Sequence, residues 1–115
     1  MTGHWTPIAG DFITVDFDPQ AGREEAGRRP AIVVSEAMYN RAARLAIVCP
    51  ITNQVKGYPF EVAIPPGGPI TGVVLADHVK SIDLRARRAR LVAHAPRAVL
   101  DATRQLIATI LGLSG

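Results

Sequence analysis

Apolar residues occur along this chain in short runs, separated by polar segments rich in Gly and Pro. That rhythm predicts a mainly β-protein. From Asp11 to Phe17 the alternation is regular, with Ile13, Val15 and Phe17 on one face and Thr14 and Asp16 on the other. Residues 18–30 are polar and broken by Gly and Pro, which predicts a long loop; in a small domain such a loop is usually functional or disordered. Ala31 to Ser35 reads as a buried strand, Glu36 to Arg44 as a helical turn or short helix, and Leu45 to Cys49 as a strand. Pro50 to Pro59 is a second polar loop. Phe60 to Ile64 and Gly72 to Ala76 are strands on either side of the turn Pro65-Pro66-Gly67-Gly68-Pro69. Val79 to Leu84 and Arg90 to His94 are two further short strands.

Only Pro96 to Leu113 carries a full helical period. Val99, Leu100, Thr103, Leu106, Ile107, Ile110 and Leu111 fall on one face, and Pro96 suits a first turn. The strands before it supply the surface that this face must cover. The fold class expected is therefore a small, strongly bent β-sheet or barrel closed by a C-terminal helix.

Composition narrows the picture. The 115 residues suit a single domain, 1–115, and 48% of them are hydrophobic, enough for a core without disulfides or a structural metal. The single cysteine, Cys49, can form no internal disulfide and belongs to no zinc-ligand spacing; between Val48 and Pro50 it reads as a small buried residue. The N-terminal Met1-Thr2-Gly3-His4-Trp5-Thr6-Pro7 has no apolar signal region and no run is long enough to span a membrane, so the expectation is a soluble, cytoplasmic protein with no membrane partner. The net charge is +3, and eleven of the 13 basic residues are arginine. Guanidinium forks suit phosphate, yet this charge alone does not establish a nucleic-acid partner. No phosphate-cradling Gly loop, dinucleotide fingerprint, paired metal-spaced histidines or nucleophile elbow is present.

What remains is polar chemistry in the two long loops, Arg23, Glu24, Glu25, Arg28 and Arg29 in the first and Thr52, Asn53, Gln54 and Lys56 in the second. From spacing alone these are two solvated surface loops. Three blocks change that weighting. Gly10-Asp11 through Val15-Asp16-Phe17-Asp18-Pro19 and Gly27-Arg28-Arg29-Pro30-Ala31 form the first. The second runs from Cys49-Pro50-Ile51-Thr52-Asn53-Gln54 through Lys56-Gly57-Tyr58-Pro59-Phe60-Glu61-Val62, and the third from Val74-Leu75-Ala76-Asp77-His78 to Asp83. In this order and spacing, across nearly the whole chain, they resemble the MazF/PemK toxin family.

The resemblance implies a compact SH3-like barrel of the CcdB/PemK type that forms a homodimer. It implies a toxin that cuts single-stranded RNA at short sequences without a metal or other cofactor, inhibiting translation. It also implies a cognate antitoxin whose flexible acidic tail occupies the RNA groove. On the family pattern Arg29 and Thr52 carry catalysis, with Glu24 as an accessory. Phe17, Pro19, Gln20, Arg28, Asn53, Gln54, Lys56 and His78 fall where RNA would be contacted. His78 is a departure, since relatives often carry Gln there, and it is expected to alter sequence preference and not chemistry.

Chemistry constrains these roles. RNA is cut when its own 2′-hydroxyl attacks the neighbouring phosphorus, which needs a proton removed, charge held and the leaving 5′-oxygen protonated. Arg29 suits the charge and not the proton, because a guanidinium stays protonated. Thr52 can donate to the phosphate, and Glu24 can take the proton if it reaches the hydroxyl. The ordinary structural alternatives are a salt bridge from Arg29 to Glu24, Glu25 or Asp16, a backbone-bonding turn at Thr52, and a core position for Phe17. Arg85 to Arg90 reads as a solvated turn that helps steer RNA at most. The competing function is a non-catalytic toxin or binding module on the same fold, for which the CcdB topoisomerase poisons are the precedent.

Overall fold

A computed structural model describes residues 5–16 and 28–113. The elements are β1 (Asp11–Asp16), β2 (Arg28–Val33), α1 (Ala37–Ala43), β3 (Leu45–Thr52), β4 (Glu61–Ala63) and β5 (Val73–Leu75). A 3-10 turn (Ala76–His78), β6 (Lys80–Asp83), β7 (Arg90–His94) and α2 (Arg97–Ile110) complete the chain. The strand order is β4-β5-β3-β2-β1-β7, with β6 also on β3, and all pairings are antiparallel.

Strand β3 organises the sheet. One edge pairs with β2; the other carries β6 along Leu45–Val48 and then β5 at Ile51 and Thr52. The 3-10 turn lies between those two partners and lets one stretch of chain follow β3 in two registers. The strands are long on hydrophobic residues because both faces are covered. On one face Phe12, Ile32, Cys49, Ile51 and Val74 pack with Val99 and Leu100 of α2. On the other, Ile13, Val15, Ala31, Val33, Val48 and Ile82 pack on one another, with Leu84 and Ala89 half-buried beside them. The second face can bury itself only because the sheet curls. The curl stops short of a closed barrel, as β6 and β7 do not pair and the turn 84–89 spans the seam between them.

The expected mainly β fold with a C-terminal helix is present, with shifted boundaries. The polar loop 18–30 ends earlier than expected, since Arg28, Arg29 and Pro30 pair with Asp16, Val15 and Thr14 in β2. β3 runs three residues past Cys49 and takes in Thr52. Both strands are extended by neighbours that a local reading does not see, β1 for Arg28–Pro30 and β5 for Ile51 and Thr52. Helix α2 begins at Arg97 with Pro96 as its cap, and its apolar face is buried at Val99, Leu100 and Thr103 and exposed at Ile110 and Leu111, where it overhangs the sheet. Among the described residues, no helix is long and apolar enough to cross a membrane.

Candidate functional site

The ladder between β2 and β3 pairs Val33 with Val48, Ile32 with Cys49 and Ala31 with Pro50, and goes no further. Pro30 and Pro50 stand where it stops; neither has an N–H with which to extend it. The same register carried past Ala31 and Pro50 sets Arg29 against Thr52. Residues directly opposite on an antiparallel pair share a face. Arg29 and Thr52 therefore continue the row of the curled face beyond its apolar end, Arg29 exposed and Thr52 half-buried.

Among the described residues no carboxylate pairs with Arg29. Asp16, one partner anticipated for it, is taken by others: Arg28 Nη1 lies 3.2 Å from its Oδ1 and Arg88 Nε 3.9 Å from its Oδ2. Strand alternation explains this, since Arg28 is the residue registered opposite Asp16. Arg28 also donates to the Thr14 hydroxyl at 3.0 Å and to the carbonyls of Thr14 and Arg88 at 3.2 and 2.7 Å. Through Nη1 and Nη2 its guanidinium joins β1, β2 and the 84–89 turn.

Thr52 makes the backbone-bonding turn, with the Gln54 N–H donating to its Oγ1 at 3.1 Å. That bond uses a lone pair and leaves the hydroxyl proton free to donate. Thr52 also lines a pocket of about 140 Å³ together with Gln54, Lys56, Tyr58, Glu61 and His78. The pocket thus gathers Thr52, Gln54 and Lys56 with His78, which lies 22 to 26 residues further along the chain, and leaves Arg29 across the strand gap outside its lining. Asn53 is turned away, its Oδ1 accepting from the Thr71 hydroxyl at 2.9 Å.

Glu61 and Tyr58 are among the pocket residues that were not singled out as site residues from the sequence. Glu61 accepts from the Lys56 and Gly57 backbone N–H groups at 3.1 and 3.0 Å, so both its oxygens shape the 53–59 loop. Tyr58 is 60% exposed and presents an aromatic surface at the rim. Both lie inside the motif block that includes Thr52, but their polar and aromatic roles become visible only once the loop is closed. His78 ends the 3-10 turn with Nε2 3.8 Å from Asp77 Oδ1, its side chain more than half exposed. Cys49 lies behind the site, fully buried. Burial, with a further contribution from the Asp77 charge, pushes its thiol up to about 12. Glu24, Phe17, Pro19 and Gln20 lie outside the described residues. The Arg85–Arg90 run is the largely exposed turn expected, anchored where Arg87 donates to the Asp16 carbonyl and the Arg88 carbonyl accepts from Arg28.

Known proteins share this arrangement. A family model for PemK-like, MazF-like toxins of type II toxin–antitoxin systems matches residues 8–111. The endoribonuclease toxin MazF of Escherichia coli (strain K12) is 52% identical over 89 residues, 77% of this chain and 79% of that protein. The endoribonuclease PemK of Escherichia coli is 34% identical over 106 residues, 89% of this chain and 80% of that protein. Among solved structures, a MazE-MazF crystal structure (Form-III) from Deinococcus radiodurans superposes with a TM-score of 0.87 at 47% identity, covering 96% of this chain and all of that one. With nearly the whole chain matched, and with the bent sheet and the paired strand ends in place, the protein belongs to the PemK-like, MazF-like toxins of type II toxin–antitoxin systems.

Proposed function

We propose that the protein is the toxin of such a pair and acts as an endoribonuclease on single-stranded RNA, blocking translation in the cytoplasm. The observation that carries this reading is the register that sets Arg29, which has no carboxylate partner among the described residues, against Thr52, where the β2–β3 ladder ends beside a pocket lined by Gln54, Lys56 and His78. A pure binding module has no use for an arginine and a hydroxyl set opposite each other on one face.

In the proposed reaction the RNA 2′-oxygen attacks phosphorus while Glu24 takes the hydroxyl proton. The bond from phosphorus to the 5′-oxygen breaks, and that oxygen takes its proton from solvent water. Arg29 holds the two non-bridging oxygens through paired N–H donors, and Thr52 donates its free hydroxyl proton to the same group. The products are a 2′,3′-cyclic phosphate and a 5′-hydroxyl. Gln54, Lys56 and His78 line the pocket beside the cut, and Tyr58 offers a plane on which a base can stack. Residues 17, 19 and 20 complete the contacts by their place in the family motifs.

The relatives suggest the assembly. One solved neighbour is described as MazE-MazF, and another as an endoribonuclease from a mycobacterial species with its cognate antitoxin. We infer that this toxin works as a homodimer and is held inactive by an antitoxin with a flexible acidic tail.

The test is incubation of purified protein with a long RNA in excess EDTA, followed by mapping of the ends. Cuts at one short sequence with cyclic-phosphate ends are expected, with Arg29→Ala at least about a thousandfold slower, the order lost with a group that holds transition-state charge. Intact RNA at high protein concentration would exclude the nuclease and leave the topoisomerase-poison type of function.

A further inference from the structure

A second, larger pocket of about 480 Å³ lies near the start of β3, whereas Thr52 ends that strand. Its lining includes Trp5, Pro7 and Leu84 on the apolar side and the guanidinium-bearing Arg41, Arg44 and Arg85. Among the described residues no Asp or Glu lines it. Among the described residues none of these three arginines has an ion-pair partner. The carboxylate nearest in sequence, Asp83, is committed to the turn, its Oδ1 accepting from the Arg85 and Ala86 N–H groups at 3.0 and 2.9 Å. The indole is set by its N–H, which donates to the buried Asp11 carboxylate at 3.4 Å.

Arg44 adds an independent observation. It caps α1 in the left-handed region, at φ 58°, where glycine is the relaxed choice. An L-residue there carries a cost, and strained positions cluster where a side chain has work to do. Its side chain borders the pocket.

We propose that this pocket is an exosite for the backbone phosphates of single-stranded RNA outside the cut sequence. Three cationic forks without carboxylate partners suit phosphate oxygens, and the neighbouring aromatic surface suits an unpaired base. The Arg85–Arg90 turn supplies continuity: Arg85 lines the pocket, while Arg87 donates to the Asp16 carbonyl at 3.2 Å, at the strand end where Arg28 enters β2. At about 3.3 Å per residue, the length of β3 separates Arg44 from Thr52 by about 26 Å. A strand gripped at both places is longer than a short recognition sequence, so the exosite favours long RNAs over minimal ones. The choice of RNA rests on the nuclease reading; the existence of an anion site does not.

Trp5 is the only tryptophan, so its emission reports on this pocket alone. The full chain is titrated with a 2′-O-methyl RNA oligonucleotide, which cannot be cut, and with polyglutamate. RNA is expected to change Trp5 emission saturably. The double variant Arg41→Gln/Arg44→Gly, whose thermal midpoint should be equal or higher because glycine relieves the cap, is expected to bind about tenfold more weakly. Its log–log salt slope should flatten by about 1.4, for two lost phosphate contacts on a single strand. In cleavage, the variant should raise KM for long RNA and leave a substrate confined to the cut sequence unaffected. Equal RNA binding by variant and wild type overturns the proposal, as does an emission change saturated by polyglutamate and not by RNA, which would make the pocket a site for an acidic polypeptide. A wild-type protein that cuts no RNA removes the nuclease reading, and the emission titration still decides the exosite.

Discussion

At the scale of single residues, the site is assembled from side chains whose alternatives have been used up. Asp16 belongs to Arg28, so Arg29 is left without a carboxylate among the described residues. The Thr52 oxygen accepts from Gln54, which leaves its proton able to donate. His78 stands at the pocket rim, more than half exposed and beside Asp77, a position suited to reading a base edge. His78→Gln should therefore change which sites are cut in a mapped RNA while the rate at a good site stays within about threefold; a collapse at every site would make His78 part of the chemistry. Cys49 is the opposite case. Its thiol, raised by burial from 9.0 to about 12, stays neutral in the folded protein. The unfolded thiol ionises at lower pH, so the stability linked to Cys49 is intact below about pH 9 and is lost as pH rises towards 12. Thermal midpoints measured across that range should fall, and Cys49→Ala should make the fall shallower.

At the scale of elements, strand ends position the chemistry. Gly72 precedes β5 at φ +106°, and a Cβ there would sit 2.2 Å from the Thr52 carbonyl oxygen. That close approach is what lets β5 hold the end of β3. Gly72→Ala should cost about 3 kcal/mol, from the wrong backbone region and the overpacking together, measurable by urea unfolding. It should also lower cleavage in the fraction still folded, because Thr52 must shift. Arg28 ties together three elements by hydrogen bonds to Thr14, Asp16 and the Arg88 carbonyl. Arg28→Ala should destabilise by about 1–3 kcal/mol, the partly exposed setting keeping the figure low. Removal of a surface arginine that only touched RNA would leave the midpoint unchanged, so the unfolding curve separates the two roles.

At the scale of the whole molecule, the curled sheet buries both faces and leaves its polar chemistry at the ends of β3. Positive side chains lie near both ends and along the turn that spans the open seam, which favours a long anionic ligand. RNA affinity should fall steeply between low and physiological salt, with a slope that counts the phosphates held. Filter binding to a 2′-O-methyl RNA over a salt series would measure it, and a flat profile would rule out a phosphate-dominated interface.

Much of this was legible along the chain. Alternation and helical period located the strands and α2, because burial on a sheet face or against a helix imposes its period on the residues themselves. The motif blocks named Arg29 and Thr52 through family resemblance, and no local pattern would have selected them. Their residence on strands was not legible, since Arg28–Pro30 and Ile51–Thr52 are held extended by partners far away in the chain. The same is true of Arg28. Its sequence context is that of one more loop arginine, yet register with Asp16 and contact with Arg88, 60 residues on, turn it inward. The chain by itself therefore determined a bent β-sheet with a covering helix and a short roster of polar groups. Only the tertiary structure decided which of those groups are engaged among the described residues, because hydrogen bonds and ion pairs between distant segments consume Arg28 and Asp16 and leave Arg29 without a carboxylate there.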